Sequence, residues 1–352
     1  MYENKYTNKE DVCIVIPSHL TGKVIYDVLE SISRLNYPRD KILINIVLLS
    51  DDLETYNYVN KALHDFNLRI NTYFTSSPNV DVKRNLGIMK CNSSKYVLVI
   101  DDDILIHPET ISIAIRHVNE DPKVGVVGFP VISDCKSLNE RLNHCKYINT
   151  VTTHNATMPI TFFLKDVLDK VGLFREDMGP PLSIHEDWEM GSRIRKHGYK
   201  VIVDGRYPGK DLGSQTLRKL ISTKASNRSI SNKRGIVKYI VNYVKSYVNK
   251  GWWSMLQVFK SSPLDQLLEY AFYLINPLLF AALMIINWIL GLGYLGVVIM
   301  GILISTFIKR YYSIFPIKQR ITYPLLLIGI RIFRTYLFLL ALLINAFKLL
   351  IR

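Results

Sequence analysis

The sequence predicts an α/β domain followed by a basic segment and an α-helical membrane region. Residues 12–203 alternate short apolar runs with amphipathic stretches, and most of these runs have the length of strands. Apolar runs long enough to cross a bilayer occur only after residue 266. Alternation of strands and helices is typical of a mostly parallel sheet that is covered by helices.

Runs rich in Val, Ile, Leu and Tyr predict the main strands in chain order. They are Val12–Ile16, Leu43–Leu49, Ile70–Phe74, Tyr96–Ile100 and Val124–Phe129. Apolar residues at helical spacing predict helices between them, at 24–35, 55–66, 80–89 and 108–118. The domain then continues with a strand at 160–164, a short helix near 167–171, a helix near 187–197 and a strand at 200–203.

The net charge of +14 is distributed unevenly along the 352 residues. From Gly205 onward the chain has 20 Lys and Arg against three acids, a net of +17, which leaves −3 for residues 1–204. A uniformly basic chain would indicate a nucleic-acid partner. Here the cations flank apolar runs, which favours an anionic membrane surface, so no nucleic-acid binding is expected.

Residues 205–265 are predicted to be an interfacial, juxtamembrane segment. They hold 12 Lys and Arg against two acids, and they include the pair Trp252-Trp253. Basic residues beside Trp are typical of a helix at the headgroup level, including the helical pattern at 236–248. A solvated helix with two core tryptophans is the alternative interpretation.

Membrane spans are predicted within residues 266–352. The apolar runs predict three spans, at 267–290, 292–308 and 324–351, with two or four as alternatives. We expect a tight turn at Gly291–Gly293 between the first two. The basic loop 309–322 is cytoplasmic by the positive-inside rule, and so is the segment before the first span. The domain 1–204 would then also be cytoplasmic, on a multi-pass protein of the cell membrane.

The four cysteines and the N-terminus agree with that location. Cys13 lies in an apolar run and is predicted to be a buried thiol. Cys135 and Cys145 have no further Cys or His at zinc spacing, so a bond or metal site there is the lesser alternative. A reducing compartment follows. Because the start of the chain lacks a basic region leading into an apolar stretch, no signal peptide is expected.

Acidic residues mark two candidate sites. The strand at 96–100 ends in Asp101-Asp102-Asp103, and three adjacent carboxylates favour a cation such as Mg²⁺ or Mn²⁺ that holds a diphosphate. Glu186-Asp187 opens a helix, whose dipole keeps carboxylates ionised, so an Asp there can act as a general base. Helix capping is the alternative for both.

Three further motifs are expected at the same edge of the sheet. Pro17-Ser18-His19 ends the first strand and Asp51-Asp52 ends the second, and ligands of open α/β sheets bind beyond such strand ends. Lys83-Arg84 precedes the acidic strand and could face phosphate. A solvated helix face is the alternative for this pair.

The order of these motifs resembles family 2 glycosyltransferases with the GT-A fold, a Rossmann-like mixed sheet that binds nucleotide-diphospho-sugars. That family has Ile-Pro-Thr-Tyr-Asn, Asp-Asp, Ala-Arg-Asn-x-Gly, Asp-x-Asp and Glu-Asp elements. The matching stretches here are 16–20, 51–52, 83–87, 101–103 and 186–187. The resemblance covers residues 1–204. His19, Leu20 and Leu53-Glu54 depart from the pattern, which leaves the donor base open.

The resemblance also implies a role for each matching residue. Pro17, Ser18 and Asp52 would contact the donor nucleoside, Arg84 would lie near the donor phosphates, and Asp101 and Asp102 near the ribose and sugar. Asp103 would bind the divalent metal. Asp187, with Glu186 beside it, would be the base of an inverting transfer. Relatives often place a His near the metal after the last strand, and Asp211 is the expected substitute here.

We therefore expect a membrane-bound, metal-dependent hexosyltransferase of glycan biosynthesis that uses a nucleotide-sugar donor and a lipid-linked acceptor. A polyprenyl-phosphate sugar synthase is one alternative, and a processive polysaccharide synthase is another. An inactive sugar-nucleotide-binding scaffold on the membrane is the alternative outside enzymes.

Overall fold

The computed structural model describes residues 11–91, 93–132, 150–153, 159–178, 185–212 and 252–308, with isolated residues 332, 336, 340, 341, 344 and 345. Several predictions fall outside these described residues. They concern Cys135, Cys145, the helical pattern at 236–248, the basic loop 309–322 and most of the span at 324–351.

The strands form one large mixed sheet and one small sheet. In chain order they are β1 Val12–Pro17, β2 Ile42–Leu49, β3 Ile70–Thr75, β4 Tyr96–Ile100, β5 Ile104–Leu105, β6 Val124–Gly128, β7 Val131–Ile132, β8 Thr150–Thr153, β9 Ile160–Leu164, β10 Lys200–Asp204 and β11 Gly209–Asp211. The large sheet has the order β3-β2-β1-β4-β9-β6-β10-β8, and the small one β5-β11-β7.

The large sheet is parallel through its first four strands. Strand β9 then enters antiparallel to both β4 and β6, β10 is parallel to β6, and β8 closes the edge antiparallel to β10. The predicted α/β class with a Rossmann-like mixed sheet is thereby confirmed.

The helices of the domain are α1 Val24–Ser33, α2 Leu53–Phe66, α3 Val80–Met89, α4 Thr110–Glu120, α5 Lys165–Val171 and α6 Glu186–Lys196. Most agree with the sequence patterns to within two residues. Helix α4 begins later than the expected Pro108. A turn precedes it, closed by the backbone N–H of Thr110 donating to the His107 carbonyl at 3.0 Å.

The helices cover both faces of the large sheet, because alternate residues of each strand point to opposite sides. Val12, Ile14 and Ile16 pack with α1, α2 and α4, whereas Cys13 and Val15 pack with α3, α5 and α6. All five side chains are fully buried. The core is therefore divided into two layers by the sheet.

The prediction that Cys13 is a free thiol is wrong. Cys13 is joined to Cys91 by a disulfide, with a Cα–Cα distance of 5.7 Å. Helix α3 crosses the face of β1 and ends next to Cys13, so two residues that are 78 positions apart become neighbours. This bond removes the argument for a reducing compartment, which rested on the cysteine spacing alone.

Three helices follow the domain: α7 Trp252–Ser261, α8 Leu264–Ile286 and α9 Trp288–Ile308. The predicted turn at Gly291–Gly293 is wrong, since the break lies at Asn287, whose φ is −159°. The Asn287 side chain caps α9 by accepting from the backbone N–H of Ile289 at 2.9 Å. Gly291 instead lets α9 approach Met284 of α8 closely.

Within the described residues, α8 alone is long and apolar enough to cross a membrane by length and composition. Apolar side chains of α8 and α9 are exposed rather than packed in a protein core; they include Leu268, Ile275, Leu278, Ile285, Ile286, Trp288 and Ile289.

Candidate functional site

Three predicted motifs meet at one edge of the large sheet. Strands β2, β1 and β4 are parallel neighbours, so their carboxyl ends point the same way. The first carries Asp51-Asp52, the second Pro17-Ser18-His19 and the third Asp101-Asp102-Asp103. This edge is the crevice in which open α/β sheets bind ligands.

The loop after β1 is held against the acidic motif by Asp102. Its Oδ2 accepts a hydrogen bond from the backbone N–H of His19 at 2.9 Å and another from the hydroxyl of Thr21. Ser18 Oγ lies 2.9 Å from Thr21 Oγ1. Burial raises the pKa of Asp102, while these hydrogen bonds act in the opposite direction. Asp102 therefore organises the loop of the first motif.

Asp52 has a structural contact at each carboxylate oxygen. Oδ1 caps α2 by accepting from the backbone N–H of Thr55 at 3.2 Å, and Oδ2 accepts from Leu20 N–H at 2.9 Å. The residue is 3% exposed. Leu20 has a φ of 54°, a left-handed conformation that Asn adopts more easily than Leu. Asp52 thus connects the first two motifs.

Lys83 reaches the same loop from α3. Its ammonium donates to the Ser18 carbonyl at 2.6 Å and lies 3.3 Å from His19 Nδ1. Burial lowers the pKa of Lys83 to about 8, although Asp102 and Asp52 oppose this. Burial and the nearby Lys83 charge also lower the pKa of His19. Lys83 is therefore a cation placed between the carboxylates of two motifs.

Helix α3 can bring its basic pair to the crevice because it packs very closely on the sheet. An added Cβ at Gly87 would lie 2.4 Å from Val15 Cγ1 and 3.4 Å from Val47 Cγ2. Asn85 anchors the next turn by donating to the Phe174 carbonyl at 2.9 Å and accepting from its backbone N–H at 3.0 Å.

Arg84 contacts three carboxylates from separate parts of the chain. Nη1 lies 3.0 Å from Asp81 Oδ1 and 3.3 Å from Glu186 Oε1, and Nη2 lies 3.4 Å from Asp101 Oδ1. The side chain is 4% exposed. These contacts bring the Glu-Asp motif to the acidic strand end.

Asp103 lies beside Asp211 across the small sheet. Strand β11 pairs antiparallel with β5, which sets Asp211 opposite Ile104, and the backbone N–H of Leu212 donates to the Asp103 carbonyl at 2.9 Å. Burial, followed by the charges of Asp102, Asp101 and Asp211, raises the pKa of Asp103 to about 7. Burial likewise raises the pKa of Asp101 to about 6, with Arg84 opposing it.

This crowding of carboxylates fits a divalent cation, because hard oxygen ligands at one point repel each other until a cation binds. In the described part of the chain, no group of three or more His, Cys, Asp or Glu side chains is arranged to hold a metal alone. Mg²⁺ and Mn²⁺ commonly take their remaining ligands from substrate phosphates and water.

Helix α6 begins directly after His185, which has a left-handed φ of 64°. Glu186, Asp187 and Glu189 lie in its first turn, where the dipole favours anions. Asp187 is partly exposed, and its Oδ1 accepts from the backbone N–H of Trp188 at 2.9 Å. A partly exposed carboxylate at this position is chemically suited to accept a proton.

Helix α6 also carries the packing surface for α7 and for the start of α8. Ser261 Oγ donates to Glu189 Oε1 at 2.8 Å, and Gln266 Oε1 accepts from Ser192 Oγ and from Arg195 Nη1, each at 3.1 Å. Glu189, Ser192 and Gln266 are buried. The sequence patterns did not indicate this contact between the segment before the apolar helices and the Glu-Asp helix.

The structure therefore places every predicted site residue either within one connected group of side chains or directly next to a member of that group. Contacts link Ser18, Asp52, Asp101, Asp102, Arg84 and Glu186; Pro17, Asp103, Asp187 and Asp211 are adjacent to these in sequence or across a strand pair. Sequence reasoning missed Thr21, Asp81 and the contacts of Lys83. Only Asp81 had a local signal, its spacing of three residues before Arg84.

Comparison with known proteins gives distant relatives. Poly-beta-1,6-N-acetyl-D-glucosamine synthase of Staphylococcus epidermidis is 22% identical over an alignment of 221 residues, and the match covers 58% of this chain and 51% of that protein. The same enzyme of strain RP62A matches with the same identity and coverage. The chain thus spans about half the length of the curated relatives it matches.

Solved structures are also similar. Residues 1–349 of S. aureus TarS in complex with UDP are 15% identical, with a TM-score of 0.49, over 72% of this chain and 81% of that one. The mannosyltransferase PcManGT from Pyrobaculum calidifontis, in complex with GDP-Man and Mn²⁺, is 15% identical, with a TM-score of 0.47, over 91% and 87%.

The family model provides the assignment. The family described as glycosyltransferase like family 2 matches residues 10–206, which include β1 to β10 and all five motifs. Asp211 lies just beyond the matched residues. Since the match covers more than half of the chain, the protein belongs to glycosyltransferase like family 2.

Proposed function

We propose that this protein is a membrane-bound, inverting, metal-dependent glycosyltransferase. It transfers a sugar from a nucleotide-sugar donor to a lipid-linked acceptor at the cytoplasmic face of the membrane. The observation that carries the proposal is the hydrogen-bonded network that joins the five motifs, from Asp52 and Asp102 at the β1 loop to Arg84 and Glu186. An unrelated set of helix caps would have no reason to converge in this way.

The donor would lie over the carboxyl ends of β1, β2 and β4. Pro17, Ser18 and Asp52 form the part of the crevice assigned to the nucleoside, and Asp101 and Asp102 the part assigned to ribose and sugar. Asp52 and Asp102 also hold the loop through backbone N–H groups, which would orient Ser18 and Pro17 before the donor binds. Such preorganisation lowers the entropic cost of binding.

Asp103, with Asp211 beside it, would hold Mg²⁺ or Mn²⁺. A bound cation supplies positive charge that stabilises the diphosphate leaving group. Burial, together with the charges of the neighbouring carboxylates, raises the pKa of Asp103 to about 7, and a bound cation would favour its ionised form.

Asp187 would accept the proton of the acceptor hydroxyl. The acceptor oxygen then forms a bond to the anomeric carbon, while the bond from that carbon to the diphosphate oxygen breaks, and the electron pair leaves with the diphosphate. Attack from the opposite side inverts the anomeric configuration. This transfer needs only one general base, which is Asp187. The neighbouring Glu186 instead forms an ion pair with Arg84.

A lipid-linked acceptor is supported by the helices that follow the domain. Exposed apolar side chains along α8 fit a lipid environment, and α8 starts three residues after α7, which packs on the Glu-Asp helix. A membrane-bound substrate would therefore be held near Asp187. A polyprenyl phosphate could itself be the acceptor, and the experiment below includes it.

A processive polysaccharide synthase is the second candidate. It is favoured by the name of the curated relatives, a poly-N-acetylglucosamine synthase, although identity is only 22% and half of their length is unmatched. Product length separates it from single transfer.

The test is a donor panel with the full chain in detergent. UDP- and GDP-sugars are offered with Mg²⁺ or Mn²⁺, and released nucleoside diphosphate is measured alone, with lipid extract and with polyprenyl phosphate. We expect release that requires metal and increases with a lipid acceptor. Binding without release from any donor would indicate the inactive scaffold, and long products would indicate the polymer synthase.

Asp187→Asn should reduce transfer by at least about a thousandfold, because the base is lost, while metal-dependent binding of the donor remains close to wild type. Asp169→Asn on α5 is the matched control, because its carboxylate is more than half exposed and pairs only with Lys165 among the contacts described for it. Wild-type transfer by Asp187→Asn would refute the assignment of the base.

A further inference from the structure

We propose that Arg84 is a positioning residue that couples the donor side of the site to the helix that carries the base. Its guanidinium holds Asp101 and Glu186 at a fixed separation, and so sets the start of α6 relative to the acidic strand end. This inference rests on the proposed glycosyl transfer. It assigns Arg84 a role different from the contact with the donor phosphates that the family resemblance implies.

The geometry of the guanidinium supports this role. Nη2 is directed to Asp101 at 3.4 Å and Nη1 to Glu186 at 3.3 Å, so the two amino groups serve two different elements. Asp81, one turn earlier on α3, accepts from Nη1 at 3.0 Å and is fully buried. The Phe174 ring lies 5.5 Å from Arg84 Cζ and packs against the guanidinium.

Burial makes a phosphate contact hard to form. The Arg84 side chain is 4% exposed, and its two amino groups already face three carboxylates, so almost none of the guanidinium surface is open to a phosphate. The carboxylates thus keep the guanidinium below the surface of the crevice.

Bridging several carboxylates requires the guanidinium of Arg, and a positive charge of another kind would not be sufficient. A planar guanidinium offers five donors in a fixed arrangement and can bridge several carboxylates, whereas an ammonium acts as a point charge. Because Glu186 directly precedes Asp187, a change in the contact between Arg84 and Glu186 moves the base itself. A displacement of about 1 Å at a reacting group can cost a hundredfold in rate.

The test is a double-mutant cycle in the full chain, using Arg84→Lys, Glu186→Ala and the double variant. We expect Arg84→Lys to lower kcat by about 10- to 100-fold. The donor KM and the Kd for UDP and GDP should stay within about threefold of wild type, because no phosphate contact is lost. The double variant should be no slower than the slower single variant, since both changes remove the same link.

Arg193→Lys is the matched control. Arg193, which is 18% exposed, likewise bridges separate groups, the Glu189 carboxylate and the carbonyls of Val171 and Leu173, but none of these groups belongs to the site. It should lose a similar amount of thermal stability and keep kcat within about threefold of wild type. A kcat loss in Arg193→Lys equal to that of Arg84→Lys would mean that general destabilisation explains both, and would overturn the proposal.

Two further outcomes would also overturn it: a rise of tenfold or more in the Kd for UDP or GDP in Arg84→Lys, or additive losses in the double variant. If the wild-type chain releases no nucleotide from any donor, the proposed function fails on its own. The coupling is then read from melting temperatures, where additive shifts of Arg84→Lys and Glu186→Ala refute the link and non-additive shifts support it.

Discussion

Replacing Asp204 with Asn is expected to destabilise the domain at neutral pH. The Asp204 carboxylate is fully buried at the end of β10 and accepts from His117 Nε2 at 2.8 Å, from Arg206 Nη2 at 2.6 Å and from the Arg206 backbone N–H at 3.0 Å. Although burial alone would raise it, hydrogen bonds from Arg206 and His117 lower the pKa of Asp204 from 3.8 to about 2. The carboxylate therefore holds the turn that leads to β11.

The magnitude follows from linkage. A carboxyl whose pKa is about 3.8 in the unfolded chain and about 2 in the folded one contributes about 2.5 kcal/mol to the free energy of unfolding at pH 7. Because the folded pKa is the lower one, this contribution is complete above the unfolded value. It is lost as the pH falls through about 2. For a domain of this size, 2.5 kcal/mol corresponds to about 5–10 °C in melting temperature.

The assay is thermal unfolding of the detergent-purified chain, followed by intrinsic fluorescence at pH 7 and pH 3. Asp121→Asn is the control, since Asp121 pairs with Lys200 on the surface, where both side chains are more than a third exposed. We expect a large loss for Asp204→Asn at pH 7, a smaller gap from wild type at pH 3, and little change for the control. Equal losses in the two variants, or a gap that does not depend on pH, would refute the reasoning.

Further predictions concern packing, the α7–α8 contact and the metal. Gly87→Ala should cost about 1–3 kcal/mol in urea unfolding, because its Cβ would meet Val15 at 2.4 Å, and adding Val15→Ala should restore part of the loss. Gln266→Leu should cost about 1–3 kcal/mol in a thermal melt, since Ser192 and Arg195 lose a buried acceptor; an unchanged melt would contradict that contact. EDTA should stop nucleotide release and Mn²⁺ should restore it, whereas release that is insensitive to EDTA would contradict the metal assignment.

The strands and helices of the domain could largely be predicted from the sequence. Alternating burial and helical spacing are local properties, so β1 and α2 were found to within two residues, and the fold class followed from their alternation. Candidate site residues were also found, because strands of a parallel sheet end at a common edge. Apolar length alone indicated α8 as a helix able to cross a membrane.

The partners of those residues could not be predicted from the sequence, because they depend on how distant segments pack. Cys13 meets Cys91 only because α3 crosses β1, and Arg84 meets Glu186 across 102 positions only because α3 and α6 lie on the same face of the sheet. Neither of these two contacts produces a local signal in the composition or periodicity of the sequence.

The positions of charged residues and the lengths of the apolar runs in the sequence therefore indicated which residues could bind a metal or a diphosphate and which segments could lie in a membrane. Tertiary structure alone decided which of them touch. Close packing at Gly87 sets the depth of α3, and that depth places Lys83 under the first loop and Arg84 between two acidic motifs. Such contacts arise from the packing of the whole sheet, which no single segment of the sequence specifies.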